Sequence, residues 1–130
     1  MKWHALGAVA LVVSAAVHLK LWFGGVRDQS VGPAFLVNVV AGVLIAVLLL
    51  TWQHWVPAFL TLGFGLSTLG AFVISTTVGL MGVHSHWSGF AVYAAAVSEV
   101  VCIGVGAMLL LAARAHRPVL GDRAARTRAV

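Results

Sequence analysis

The chain has 130 residues, of which 62% are hydrophobic and 8% charged, with a net charge of +5. An ordinary soluble domain is about 25% charged and about 45–50% apolar, so these few charges cannot cover a water-facing surface, and the mean hydropathy of +1.05 agrees. A soluble enzyme, a nucleic-acid-binding module and a disordered protein are all disfavoured, and lipid is the expected solvent for most of the chain.

Four apolar stretches follow one another, at about 3–23, 33–52, 57–80 and 88–113. Each has about the 20 residues a helix needs to cross ~30 Å of hydrocarbon. In lipid each must be helical, because every backbone polar group needs an internal partner. A barrel would require alternating rather than continuous apolarity. Met1-Lys2 and Ser14-Ala15-Ala16 imitate a secretory signal. The apolar run extends to Phe23, beyond the usual signal core of about 7–15 residues, so a retained first helix is expected. Gly24 to Ser30 form the longest polar connection, and Pro33 and Pro57 fall in expected first turns. Residues 82–87 separate the third and fourth stretches, and Pro118 and Gly121 are expected to end the last helix. Trp3, Trp22, Trp52, Trp55 and Trp87 all fall at stretch ends, as in an interfacial aromatic belt. The predicted fold is an all-α, four-helix transmembrane bundle over residues 1–113, followed by a basic tail over 114–130.

The tail holds Arg114, Arg117, Arg123, Arg126 and Arg128 against Asp122, and so carries most of the net charge. With Lys2, these place six basic residues on the side of the termini, against Lys20 and Arg27 on the other. The bias predicts both termini in the cytoplasm. Arg114, Arg117 and Arg123 are expected to contact anionic lipid headgroups. No aromatic or motif context accompanies them, so nucleic acid is not an expected partner.

Helices in lipid associate through small and polar residues. The expected packing faces are His4, Gly7, Leu11, Ser14 and His18 on the first helix, and Ala34, Asn38, Gly42 and Ala46 on the second. On the third, Gly63, Ser67, Ala71, Ser75 and Gly79 recur every four residues, and on the fourth Ala95, Glu99, Cys102 and Gly106 are expected inside.

Glu99 is the most informative residue. It falls near the bilayer midplane, where a carboxylate costs at least a few kcal/mol and usually has a task. His18, Asn38, Ser75 and Tyr93 come from four different helices at depths of roughly 7–9 Å, with Glu99 beneath them. A pocket open to the outer side is expected from His18, Asn38, Ser75, Tyr93 and Glu99.

Three readings compete. In the first, these groups only fix the bundle through interhelical hydrogen bonds, worth about 0.6 kcal/mol each. In the second, His18 and Glu99 form a titratable site for a small molecule, proton or ion, with a transport subunit as one form of it. In the third, His18, His84 and His86 converge with Glu99 on a metal such as Zn or Cu, since imidazole suits both. Haem is a variant of the third, using His4 and His18 of one helix with His54 and His84 or His86 opposite. Nucleophile, Walker and Rossmann patterns are all missing from the sequence, so an enzyme is not expected.

His18-Leu19 with Trp22, then Val31-Gly32-Pro33 with Phe35-Leu36, Asn38 and Gly42, then Ser75-Thr76 with Gly79-Leu80 and Gly82, and finally Glu99, together resemble small four-pass membrane proteins of high-GC bacteria. The resemblance covers roughly residues 5–112. It implies a multi-pass protein of the bacterial plasma membrane and brings no activity or ligand with it. The expected role is a non-enzymatic binding or accessory subunit, as a homo-oligomer or within a larger membrane complex.

Overall fold

The computed structural model describes residues 1–128, apart from the side chains of 117–125. Among the described residues four helices are long and apolar enough to cross a membrane. They are α1 (Lys2–Phe23), α2 (Gly32–Thr51), α3 (Trp55–Thr77) and α4 (Phe90–Arg128). α1 packs on α2 and on α4, and α3 packs on α4; α2 and α3 touch least. The helices close a four-membered ring in chain order. The 24–31 and 78–89 connections lie at one end of the bundle, tied together where the Ser30 hydroxyl donates to the Met81 carbonyl at 2.6 Å. At the opposite end Gln53 reaches the sulfur of Met1 at 3.6 Å.

The bundle is apolar outside and partly polar within. Val37, Val40 and Leu44 of α2 are each more than half exposed. Ser14, His18, Thr61, Thr68, Ser75, Ser98 and Glu99 are buried. A water-soluble bundle arranges these classes the other way round. The half of the core nearest the 52–54 turn is a dry cluster that includes Leu11, Ala46, Leu49, Phe64 and Cys102.

The ends of α3 and α4 differ most from the expected boundaries. α3 ends at Thr77 rather than Leu80, because the chain reverses tightly over 80–83. Leu80 and Val83 exchange both backbone hydrogen bonds at 2.8 Å. Met81 and Gly82 between them adopt φ of 50° and 79°, the left-handed pair that a two-residue hairpin turn requires. α4 runs to Arg128, past Pro118 and Gly121, where an end near residue 113 was expected. A proline removes one i→i−4 bond and bends a helix without having to end it.

The packing face of α3 also differs from the expected one. Gly63 and Ser67 are exposed, and a Cβ on Gly63 would meet nothing within 4 Å. The buried face is Ala58, Thr61, Gly65, Thr68 and Ser75. The reason is angular. At about 100° per residue, a four-residue repeat advances roughly 40° per step, so Gly63 and Gly79 stand roughly 160° apart. A seven-residue repeat slips by only ~20°, and Thr61, Thr68 and Ser75 follow it. The contact with α4 is close at Gly65 and Gly106, where a Cβ would lie 2.6 Å from the Glu99 carbonyl oxygen and from the Leu62 nitrogen.

Candidate functional site: a buried histidine–glutamate pair beneath a cavity

Above the dry cluster the core opens into a cavity of about 380 Å³. All four helices line it, with His18 from α1, Asn38 from α2, Ser75 from α3 and Glu99 from α4. Its remaining wall is mostly apolar and includes Phe35, Phe72, Ala71 and Ala95. Of the five polar positions expected to share one pocket, these four line the cavity.

The floor is built from α1 and α4. The Nδ1 atom of His18 lies 2.8 Å from the Ser14 carbonyl oxygen, one turn earlier on α1. A carbonyl only accepts, so Nδ1 carries a hydrogen, a tautomer assigned from this contact. The Ser14 hydroxyl is 3.3 Å from the same nitrogen. The ring is thus held by its own helix, and its Nε2 points across to the Glu99 carboxyl oxygen at 3.9 Å. Glu99 is 3% exposed, and the hydroxyls of Thr68 and Ser14 lie beside its carboxyl group. The ring of Phe35 stands 5.1 Å from that of His18.

The mouth is shaped by α3 and the loop that follows it. The Ser75 hydroxyl donates to the Val83 carbonyl at 3.0 Å and lies 2.8 Å from the Ser85 hydroxyl. The Ser85 amide returns to the Ser75 carbonyl at 3.1 Å. These bonds fold residues 83–85 over the cavity, and His84 and His86 reach its wall.

Tyr93 is a correction. It is 51% exposed, its hydroxyl lies 3.3 Å from the Trp87 carbonyl, and it does not line the cavity. Val92, Ala95, Ala96 and Glu99 form the lining stripe of α4, and Tyr93 sits about 100° round the helix from Val92.

The metal assignment to His18, His84 and His86 is likewise corrected. Among the described residues no three histidine, cysteine or acidic side chains gather closely enough to hold an ion. His84 instead lays its ring on the backbone of Gly79, where a Cβ would meet Nε2 at 2.7 Å. The histidines considered for haem are also placed otherwise. His54 caps α3, accepting from the Val56 amide at 3.4 Å, and stacks on Trp52. His4 lies fourteen residues from His18 on α1, about 21 Å along the helix.

Arg114 is exposed and borders a shallow groove with Trp55 and Phe59 near the Gln53 end. The side chains of Arg117 and Arg123 lie outside the described residues.

Thr68, Ser85, Phe35 and Phe72 belong to the site and were not singled out from the sequence. The seven-residue recurrence of Thr61, Thr68 and Ser75 is the signal that would have found Thr68. Together, fold and site define a small helical bundle with a one-ended internal cavity. Comparisons with protein-family models, curated proteins and solved structures return no match for the chain.

Proposed function

We propose that the chain is an integral protein of a bacterial plasma membrane, with both termini in the cytoplasm. Its cavity is a binding site for a small molecule arriving from the outer side, and the protein acts as a binding or accessory subunit rather than as an enzyme. The observation that carries the proposal is Glu99, buried in the middle of an apolar helix, facing His18 at 3.9 Å on the floor of a cavity. An intramembrane carboxylate is costly and is retained where it has a function. If the pair served only to fix the bundle, the two groups would be expected to close on each other. The dry packing of Leu11, Leu49, Phe64 and Cys102 beneath the pair favours a binding site over a conduit. The excess of basic residues at the termini supports the orientation.

The test is thiol accessibility in intact cells, with Cys102→Ala as the background. Ala95→Cys on the cavity wall is expected to react with a small membrane-impermeant methanethiosulfonate added outside. Ala46→Cys in the dry cluster is expected to stay unreactive, and Gln53→Cys to react only after permeabilisation. Reaction of Ala95→Cys only after permeabilisation, or no reaction in a folded protein, would overturn the proposal.

A further inference from the structure

The polar floor of the cavity has a defined hydrogen-bonding character. Because the Nδ1 hydrogen of His18 is committed to the Ser14 carbonyl, a neutral ring turns the lone pair of Nε2 toward Glu99. An ionised Glu99 offers only acceptors in return. Two acceptors then face each other across 3.9 Å, too far for a direct hydrogen bond. One donor nitrogen placed about 2.9 Å from each would see them at roughly a right angle, within the range two N–H groups of one ammonium can serve. Among the described residues no lysine or arginine lies within ion-pair distance of the Glu99 carboxyl. Among the described residues an acidic group enters the core with no fixed cation beside it.

The walls suit the same occupant. Phe35 and Phe72 line the cavity, and aromatic faces attract cations, more strongly when water is excluded. Small side chains at Ala34, Ala71, Ala95 and Ala96 leave room for a compact apolar body. A volume of about 380 Å³ falls within the usual range for small-molecule sites.

We propose that the cavity binds a small lipophilic primary amine as its ammonium ion, head down, with N–H groups donated to Glu99 and to Nε2 of His18. The inference rests on the outward-facing binding site proposed above and specifies the class of its ligand. A proton and the ammonium then compete for one carboxylate, so acidification weakens binding. His18 faces Glu99 from α1, and Cys102 interacts with it from its own helix. Asn38 of α2 and Thr68 and Ser75 of α3 do not titrate near neutrality, and the loop adds His84 and His86 to the wall. Protonating any of these histidines adds positive charge and acts in the same direction.

The test uses three probes that differ only in the polar head: 2-phenylethylammonium, 2-phenylethanol and phenylacetate. Each is titrated calorimetrically into the full chain in lipid nanodiscs at neutral pH. The ammonium is expected to bind at least tenfold more tightly than the alcohol, and phenylacetate more weakly than both. Glu99→Gln should bring the ammonium down to the level of the alcohol and leave the alcohol unchanged. Glu99→Asp, which keeps the charge, should retain the preference if Glu99→Gln fails to fold. Equal binding of ammonium and alcohol, both lost on filling the cavity with Ala95→Trp, would overturn the cation assignment and leave the binding site standing. No binding of any probe to a protein with a native melting transition would overturn both.

Discussion

A methyl group on Gly65 would stand 2.6 Å from the backbone carbonyl oxygen of Glu99. The absent side chain of one helix thus sets how closely the other brings its carboxyl group to the floor of the cavity. Gly65→Ala has to push α3 and α4 apart, because the obstruction is backbone and cannot rotate away. Overpacking of this kind costs about 1–3 kcal/mol. Gly63→Ala meets open space and gains the better helix propensity of alanine, up to about 1 kcal/mol. Thermal unfolding in detergent should lower the midpoint for the first variant and hold or raise it for the second. Equal destabilisation by both would mean that α3 presents a different face.

Met81 occupies the left-handed region at φ 50° without being glycine. Its backbone carbonyl, not its side chain, accepts the Ser30 hydrogen bond. Asparagine tolerates this conformation better. Met81→Asn should therefore stabilise the 78–89 loop by about 1 kcal/mol, read as a higher unfolding midpoint. A lower midpoint would show that the thioether contributes more by packing than the backbone costs in strain.

Ser75 fastens the 83–85 segment through its hydroxyl, with bonds to Val83 and Ser85. A hydrogen bond of this type contributes about 1 kcal/mol. Ser75→Ala should speed hydrogen exchange at the Val83 and Ser85 amides by roughly fivefold while amides in the middle of α1 keep their protection. Unchanged exchange at Ser85 would mean that its bond to the Ser75 carbonyl suffices alone.

His18 and Glu99 should be energetically coupled even though they do not touch. A double-mutant cycle of His18→Ala and Glu99→Gln in detergent is expected to give a coupling near 1 kcal/mol, since Nε2 and the carboxyl oxygen stand 3.9 Å apart in a buried site. Strict additivity would assign the two residues to separate tasks and remove the shared floor.

The four spans were legible in the sequence because hydropathy over twenty residues is an average, and an average survives local surprises. Glu99 was legible for the opposite reason: a single carboxyl in an apolar run has no competing explanation in composition. The meeting of His18, Asn38, Ser75 and Glu99 followed from counting depth along helices, which a rise of 1.5 Å per residue makes reliable. Azimuth was harder. Tyr93 has the right depth but the wrong side of α4, and the Gly63–Gly79 repeat winds away from the core because four residues exceed one turn. The loop over 78–89 was hidden because its shape comes from four left-handed residues, Gly79, Met81, Gly82 and Gly89, and a serine on another element. None of these leaves a periodic trace.

The closed packing of Leu11, Leu49, Phe64 and Cys102 below the histidine–glutamate pair gives the cavity a floor and no exit. Whatever it takes up must leave by the way it came. A charged head has to travel the full depth past Phe35 and Phe72 before meeting its acceptors, so desolvation precedes capture on the way in and is reversed on the way out. In the orientation proposed above, a guest longer than the well would keep its far end among the lipids of the outer leaflet. The protein would then hold one end of such a molecule while the membrane solvates the other.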